Sequence, residues 1–200
     1  MSIASLPRTG KTGRRLFHMA GGSFFPLLAL FLPRPTLLAL LAGATALALL
    51  VEGVRLRYAP LQRLIGRLVA VKEKEATGIS AASYLLLGAL AAFLIFPVEI
   101  AVAAVLFAAV ADPVASVVGE HWGRRRVGAK SVEGSLAFLA AALVVGLVLA
   151  GTGRGPGVVV AAAGGLAAAT AELLPLPVDD NLAVPLLSGG IMTLVAWQSV

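Results

Sequence analysis

The chain has 200 residues, 59% of them hydrophobic and only 13% charged, with a formal net charge of +6 and a mean hydropathy of +0.95. Soluble domains average about 45–50% apolar and about 25% charged residues, so one globular core could not hide this excess, and the composition predicts an integral membrane protein. The basic balance fits anionic headgroups and phosphorylated substrates better than nucleic acid, because the cations flank apolar spans. The absence of cysteine removes disulfides and thiolate metal sites.

Two targeting or nucleotide signatures near the start are imitations. Arg14-Arg15-Leu16-Phe17 has a twin-arginine appearance, but many more spans follow, so a cleaved signal is not expected. Gly10-Lys11-Thr12 resembles the end of a P-loop, yet Ser5 stands where the leading glycine belongs and no strand precedes it.

Seven apolar segments follow in order: Leu16–Leu32, Thr36–Val54, Ser80–Phe96, Val98–Val118, Leu136–Ala150, Gly157–Leu174 and Leu182–Trp197. Their Leu/Ala runs lack two-residue alternation, which predicts helices rather than barrel strands. The expected fold is therefore all-α: a polytopic membrane protein of about seven transmembrane helices, forming one domain over residues 1–200. With the N-terminus cytoplasmic, fourteen of the sixteen Lys and Arg fall on the cytoplasmic side, leaving only Arg34 and Arg154 outside. Nine of the ten acidic residues share that side, Glu99 being the exception. After Pro60, Leu61, Leu64, Ile65, Leu68 and Val71 recur at helical spacing, with Arg63, Arg67 and Lys74 on another face. That pattern predicts an interfacial amphipathic helix, which either sets topology alone or brings Lys72, Lys74 and Glu75 to the edge of a site.

The chemistry concentrates between Asp112 and Ser135. An ionisable residue at membrane depth is expensive and marks a functional site by default. On a helix, Asp112, Ala115, Ser116 and Gly119 share one face, and Pro113 forfeits a helix donor and is expected to kink the span. Asp112 is read as a Mg²⁺ ligand, since that ion prefers carboxylates together with substrate phosphates. Gly123 to Ser131 comes within one residue, Ala129, of a P-loop, so its glycines could present N–H groups to an anion while Lys130 and Ser131 supply charge and hydroxyl. Glu133, Gly134 and Ser135 then begin the next helix, whose N-terminus could face the same anion. Arg124, Arg125 and Arg126 read equally well as a topogenic loop.

A second acidic cluster, Glu172 with Asp179, Asp180 and Asn181, emerges on the same side as Asp112 by the topology count. Carboxylates converging from two spans could hold a divalent metal or deprotonate a hydroxyl; the plain alternative is an acidic turn capping the last helix. Glu52 and Arg55 lie one turn apart and could simply pair. His18, near Arg14 and Arg15, has no other His at ligand spacing, and His121 with Trp122 reads as interfacial.

Taken in order, these residues resemble the CTP-dependent lipid-alcohol kinases: dolichol kinase, phytol kinase and CTP-dependent diacylglycerol kinase. The resemblance runs through Arg14-Arg15-Leu16-Phe17-His18, Glu52-Gly53-Val54-Arg55 and Lys74-Glu75-Ala76-Thr77-Gly78. It continues through Asp112-Pro113-Val114-Ala115-Ser116-Val117-Val118-Gly119, Lys130-Ser131-Val132-Glu133-Gly134-Ser135, and Glu172 with Asp179-Asp180-Asn181. The resemblance implies transfer of the γ-phosphoryl group of CTP to a membrane lipid alcohol of polyprenol, dolichol, phytol or diacylglycerol type. It implies Mg²⁺ on Asp112 with Asp179 or Asp180, Glu172 being a further candidate metal ligand, and triphosphate on Lys130 and Ser131 with Arg14 or Arg15. The wider nucleotide set would be Ser116, Gly119, Glu133, Gly134, Ser135 and Asn181, with His18, Glu52, Arg55, Lys74 and Glu75 on the substrate side or structural. Expected partners are CTP, the lipid alcohol and the bilayer of a prokaryotic cytoplasmic membrane, with a homo-oligomer admitted and nucleic acid excluded. A phosphatidate cytidylyltransferase is the alternative, and a small transporter using Asp112 and Glu172 as an ion relay the second. Against the transporter, the charges gather at one face rather than at the midplane.

Overall fold

Each of the seven apolar segments forms a helical rod in the computed structural model, which describes residues 10–58 and 78–198. In chain order the elements are α1 Lys11–Leu28, α2 Arg34–Arg57, α3 Ala81–Ile95, α4 Val98–Leu106, a π turn at Phe107–Ala111 and α5 Asp112–His121. A hairpin of β1 Arg126–Val127 and β2 Lys130–Ser131 leads into α6 Val132–Gly151, α7 Val158–Leu173 and α8 Asp180–Gln198. The amphipathic helix expected after Pro60, with Lys74 and Glu75, lies outside the described residues.

The fold is thus helical, with a two-residue ladder as the exception among the described residues. Four stretches are long and apolar enough to cross a membrane: Arg34–Arg57, Val98–Trp122, Val132–Gly151 and Asp180–Gln198. Ala81–Ile95 and Val158–Leu173 are apolar but shorter. The chain is compatible with an integral membrane protein on these lengths.

The rod running from α4 through the π turn into α5 is the axis of the bundle. In its most apolar window 72% of residues are buried, against 22–33% in the other three long helices. α1, α3, α6 and α8 all pack on it. Every side chain from Ala101 to Ala109 is buried, as expected of a helix apolar on all sides, and its small alanines let neighbouring backbones close in. The kink expected at Pro113 takes the form of the π turn. Proline offers no N–H and its ring excludes the carbonyl four residues back, so the preceding turn widens instead of breaking.

Two close approaches fix the geometry around this axis. A side chain at Gly88 on α3 would run into the carbonyl oxygen of Asn181 at the start of α8. Gly134, at the start of α6, lies against the Ala115 carbonyl and Gly119 of α5, where a Cβ would sit 2.9 Å from that oxygen.

Contacts also sort the cations by end. Arg34 donates to the Phe93 carbonyl at 2.9 Å, and Arg154 donates to the Leu30 carbonyl at 2.7 Å while lying over the Phe31 ring. Both therefore sit where α1 and α3 end. Lys11 and Arg15, at the start of α1, pair with Glu120 near the end of α5, and Arg55 and Lys130 lie toward that opposite end.

Candidate functional site

At the end opposite Arg34 and Arg154 the helices open a cleft of about 520 Å³. Its polar lining is Asp112 from α5, Lys130 from the hairpin, Glu172 from α7, and Asp179, Asp180 and Asn181 from the start of α8. The apolar part of its wall is Ile79 just before α3, Ala81 and Tyr84 on α3, and Ala108, Phe138 and Val184. The segments predicted to converge do converge here, from four separate elements.

Lys130 is delivered by the turn between β1 and β2. That turn has only Gly128 and Ala129 between paired residues, with Val127 opposite Lys130, and Gly128 adopts a φ of 59°, the left-handed conformation that a two-residue hairpin requires. The Lys130 ammonium donates to Asp180 Oδ2 at 2.7 Å and to the Glu172 carbonyl, and lies 3.2 Å from Glu172 Oε1. Burial disfavours its charge, but Asp180 and Glu172 outweigh that and hold its pKa above the ordinary value of 10.5. Lys130 is therefore a permanent cation at the edge of the cleft.

The carboxylates differ in what they already hold. Glu172 is buried, paired through one oxygen with Lys130 and accepting from Ser135 Oγ at 2.8 Å through the other. Asp179 accepts from the backbone N–H and side-chain amide of Asn181 at 3.0 and 2.9 Å, the arrangement of a helix N-cap. Asp112 has no hydrogen bond or ion pair among the described residues and is only half-buried. Of the cleft's carboxylates it is the one with neither oxygen engaged among the described residues.

The remaining described candidate residues do not line the cleft. In the glycine-rich stretch the Glu133 carboxylate accepts from the backbone N–H groups of Arg124 and Arg125 at 3.0–3.2 Å, so the protein's own anion occupies two of the amides expected to face a bound one. Ser131 caps α6 by accepting from the Gly134 N–H at 3.0 Å, and Gly119 and Gly134 serve the α5–α6 crossing. Ser135 stands behind Glu172. Arg15 is tied to Ser116 at 3.0–3.2 Å and to Glu120, and Arg14 is half-buried on α1. His18 reaches within 3.5 Å of the Ala108 carbonyl in the π turn. Glu52 and Arg55 form a buried pair behind the apolar wall.

Sequence reasoning did not name Ile79, Ala81, Tyr84, Ala108, Phe138 or Val184, nor Ser80 and Ser83, which bind Glu52. The one available signal was Ser80, placed as a helix cap ahead of an apolar run.

The donor set suits Mg²⁺ in one specific way. Among the described residues no three His, Cys, Asp or Glu stand close enough to hold a metal by themselves. Mg²⁺ is ordinarily bound by one or two carboxylates plus substrate phosphates, and Asp112, with Asp179 or Asp180 in the same cleft, supplies that number. The carboxylates fit an ion that arrives with a polyphosphate.

No family model and no solved structure matches the chain. An uncharacterized protein of Rickettsia prowazekii (strain Madrid E) is 28% identical over 181 residues, covering 86% of this chain and 88% of that protein.

Proposed function

We propose that the protein is a CTP-dependent kinase that transfers the γ-phosphoryl group of CTP to the hydroxyl of a membrane lipid alcohol. The observation that carries this reading is the Asp112 carboxylate, without a partner among the described residues, in one cleft with the Lys130–Asp180 pair and with apolar side chains. Phosphoryl transfer needs little beyond positioning and charge stabilisation, and a lipid alcohol needs a polar place for its hydroxyl beside an apolar place for its chain. The choice of CTP over ATP rests on the resemblance to the lipid-alcohol kinases.

In this reading the alcohol oxygen attacks the γ-phosphorus, the bond to the β,γ-bridging oxygen breaks, and CDP leaves. The hydroxyl proton passes to whichever of Asp112, Asp179 and Asp180 does not hold metal. Lys130 meets the charge on the phosphoryl oxygens. Mg²⁺, when bound by Asp112 and Asp179 or Asp180, would neutralise charge across the β- and γ-phosphoryl groups. All seven rods cross the membrane, the N-terminus is cytoplasmic, and the cleft opens to the cytoplasm of a prokaryotic cell, as the distribution of Lys and Arg favours.

Labelled CTP tests the reaction in proteoliposomes supplied with phytol, geranylgeraniol, polyprenol, diacylglycerol and phosphatidate. Appearance of γ-label in an alcohol is the expected result. Retention of α-label in lipid from phosphatidate would instead identify a cytidylyltransferase, and label in no lipid would remove the enzyme reading.

A further inference from the structure

Behind the apolar wall lies a polar assembly that the transfer chemistry does not use. Glu52 and Arg55 on α2 are 7% and 4% exposed, and they pair within one turn of the helix. Burying two charges is costly unless their remaining hydrogen-bonding capacity is met. Here, among the described residues, it is met by one short stretch. Glu52 Oε2 accepts from Ser80 Oγ at 2.9 Å and Ser83 Oγ at 3.2 Å, and Arg55 donates to the Gly78 carbonyl at 2.6 Å. Ser80 also caps α3 by accepting from the Ser83 N–H. Among the described residues, every group that the pair hydrogen-bonds outside α2 belongs to Gly78–Ser83, the stretch that carries Ile79 and Ala81 and leads into Tyr84.

Joining α2 to α3 does not require this arrangement, because the two helices pack along their length and Arg34 already ties α2 to the far end of α3. What the pair adds is a fixed position for the cleft wall. That wall lines the same cleft as Lys130 and the carboxylates, where a polyphosphate would be held. We infer that Ile79, Ala81 and Tyr84 form the acceptor subsite, taking the first carbons of a long-chain alcohol, and that Glu52 and Arg55 are positioning residues for it. The identity of the acceptor rests on the kinase reading; the subsite and its support rest on the contacts.

The test uses the full chain in proteoliposomes and a geranylgeraniol analogue bearing a diazirine near its hydroxyl, with crosslinks located by peptide mass spectrometry. Wild type is expected to label within Ile79–Tyr84. The double variant Ser80→Ala with Ser83→Ala keeps the ion pair and the Arg55–Gly78 bond but removes both hydroxyls that tie Glu52 to the wall, and should lower labelling about tenfold, while Ser80→Thr, which keeps the hydroxyl, should not. In the γ-label assay on the same samples, the double variant should raise KM for the alcohol by a similar factor and leave KM for CTP unchanged. Should the double variant fail to yield folded protein, Arg55→Lys replaces it, because a lysine cannot reproduce the planar fork that spans Glu52 and Gly78. Labelling elsewhere, labelling indifferent to these changes, or labelling of the wall by an azido-CTP overturns the inference. Labelling as expected with no γ-transfer leaves the subsite standing and removes the kinase reading.

Discussion

Asp112 and Lys130 sit in one cleft in opposite circumstances, and the contrast sets what each substitution should do. Asp112 gives up no hydrogen bond among the described residues on replacement, so Asp112→Asn should leave the melting temperature unchanged or slightly raised. It should lower γ-phosphoryl transfer by about a hundredfold or more, the usual consequence of removing a group aimed at transferring charge. Lys130 balances two carboxylates at once. Lys130→Met should therefore cost both activity and roughly 2–3 kcal/mol of stability, less than a fully buried pair because the lysine is partly solvated. The pH dependence has a definite sign. A lysine whose folded pKa is raised contributes stability that is complete below its unfolded value and is lost only as pH climbs through the folded value. With that value above 10.5, thermal melts of wild type should show no loss from this pair between neutral pH and pH 10.

The elements position these residues through contacts that the sequence showed unevenly. Helix positions were legible because apolar runs bounded by Pro, Gly and charge leave little choice. The convergence of Asp112, Lys130, Glu172, Asp179 and Asp180 was legible too, because every one lies near a helix end assigned to the same side. The apolar wall was not. α3 is apolar on all sides, so its sequence carries no periodicity that says which face meets a cleft, and its packing against α2, α4 and α8 decides it. The glycine-rich loop misled for a related reason: spacing cannot reveal that Glu133 folds back onto the amides of Arg124 and Arg125. Gly88 makes the role of the α3–α8 crossing testable. Gly88→Ala should push the start of α8, with Asp180 and Asn181, away from Lys130. The expected outcome is a folded protein with a lower melting temperature and transfer reduced about tenfold or more, since small misplacements of reacting groups are costly.

Across the whole molecule, charge and structure agree on two distinct ends. Arg34 and Arg154 are each bonded to backbone carbonyls at one end, while the cleft and the remaining described cations lie toward the other. The chain contains no cysteine, so single introduced thiols report cleanly on sidedness. In intact cells a membrane-impermeant maleimide should label Thr152→Cys and should reach Arg126→Cys only after permeabilisation. The reverse pattern would invert the proposed orientation and place the cleft on the outer face.

The π turn at Phe107–Ala111 has a consequence for how the chain tolerates changes in length. A π turn amounts to one surplus residue in an otherwise α-helical rod, so the apolar half before it and the half bearing Asp112 keep independent rotational phases. Removing a residue elsewhere in this rod would twist one half by about 100° against its neighbours, as the 3.6-residue period dictates. Removing Val110 together with Pro113→Ala should instead close the turn to ordinary helix with both halves still facing their partners. The slack that proline creates is thus the one place where the axis of the bundle could be shortened without turning Asp112 away from Lys130.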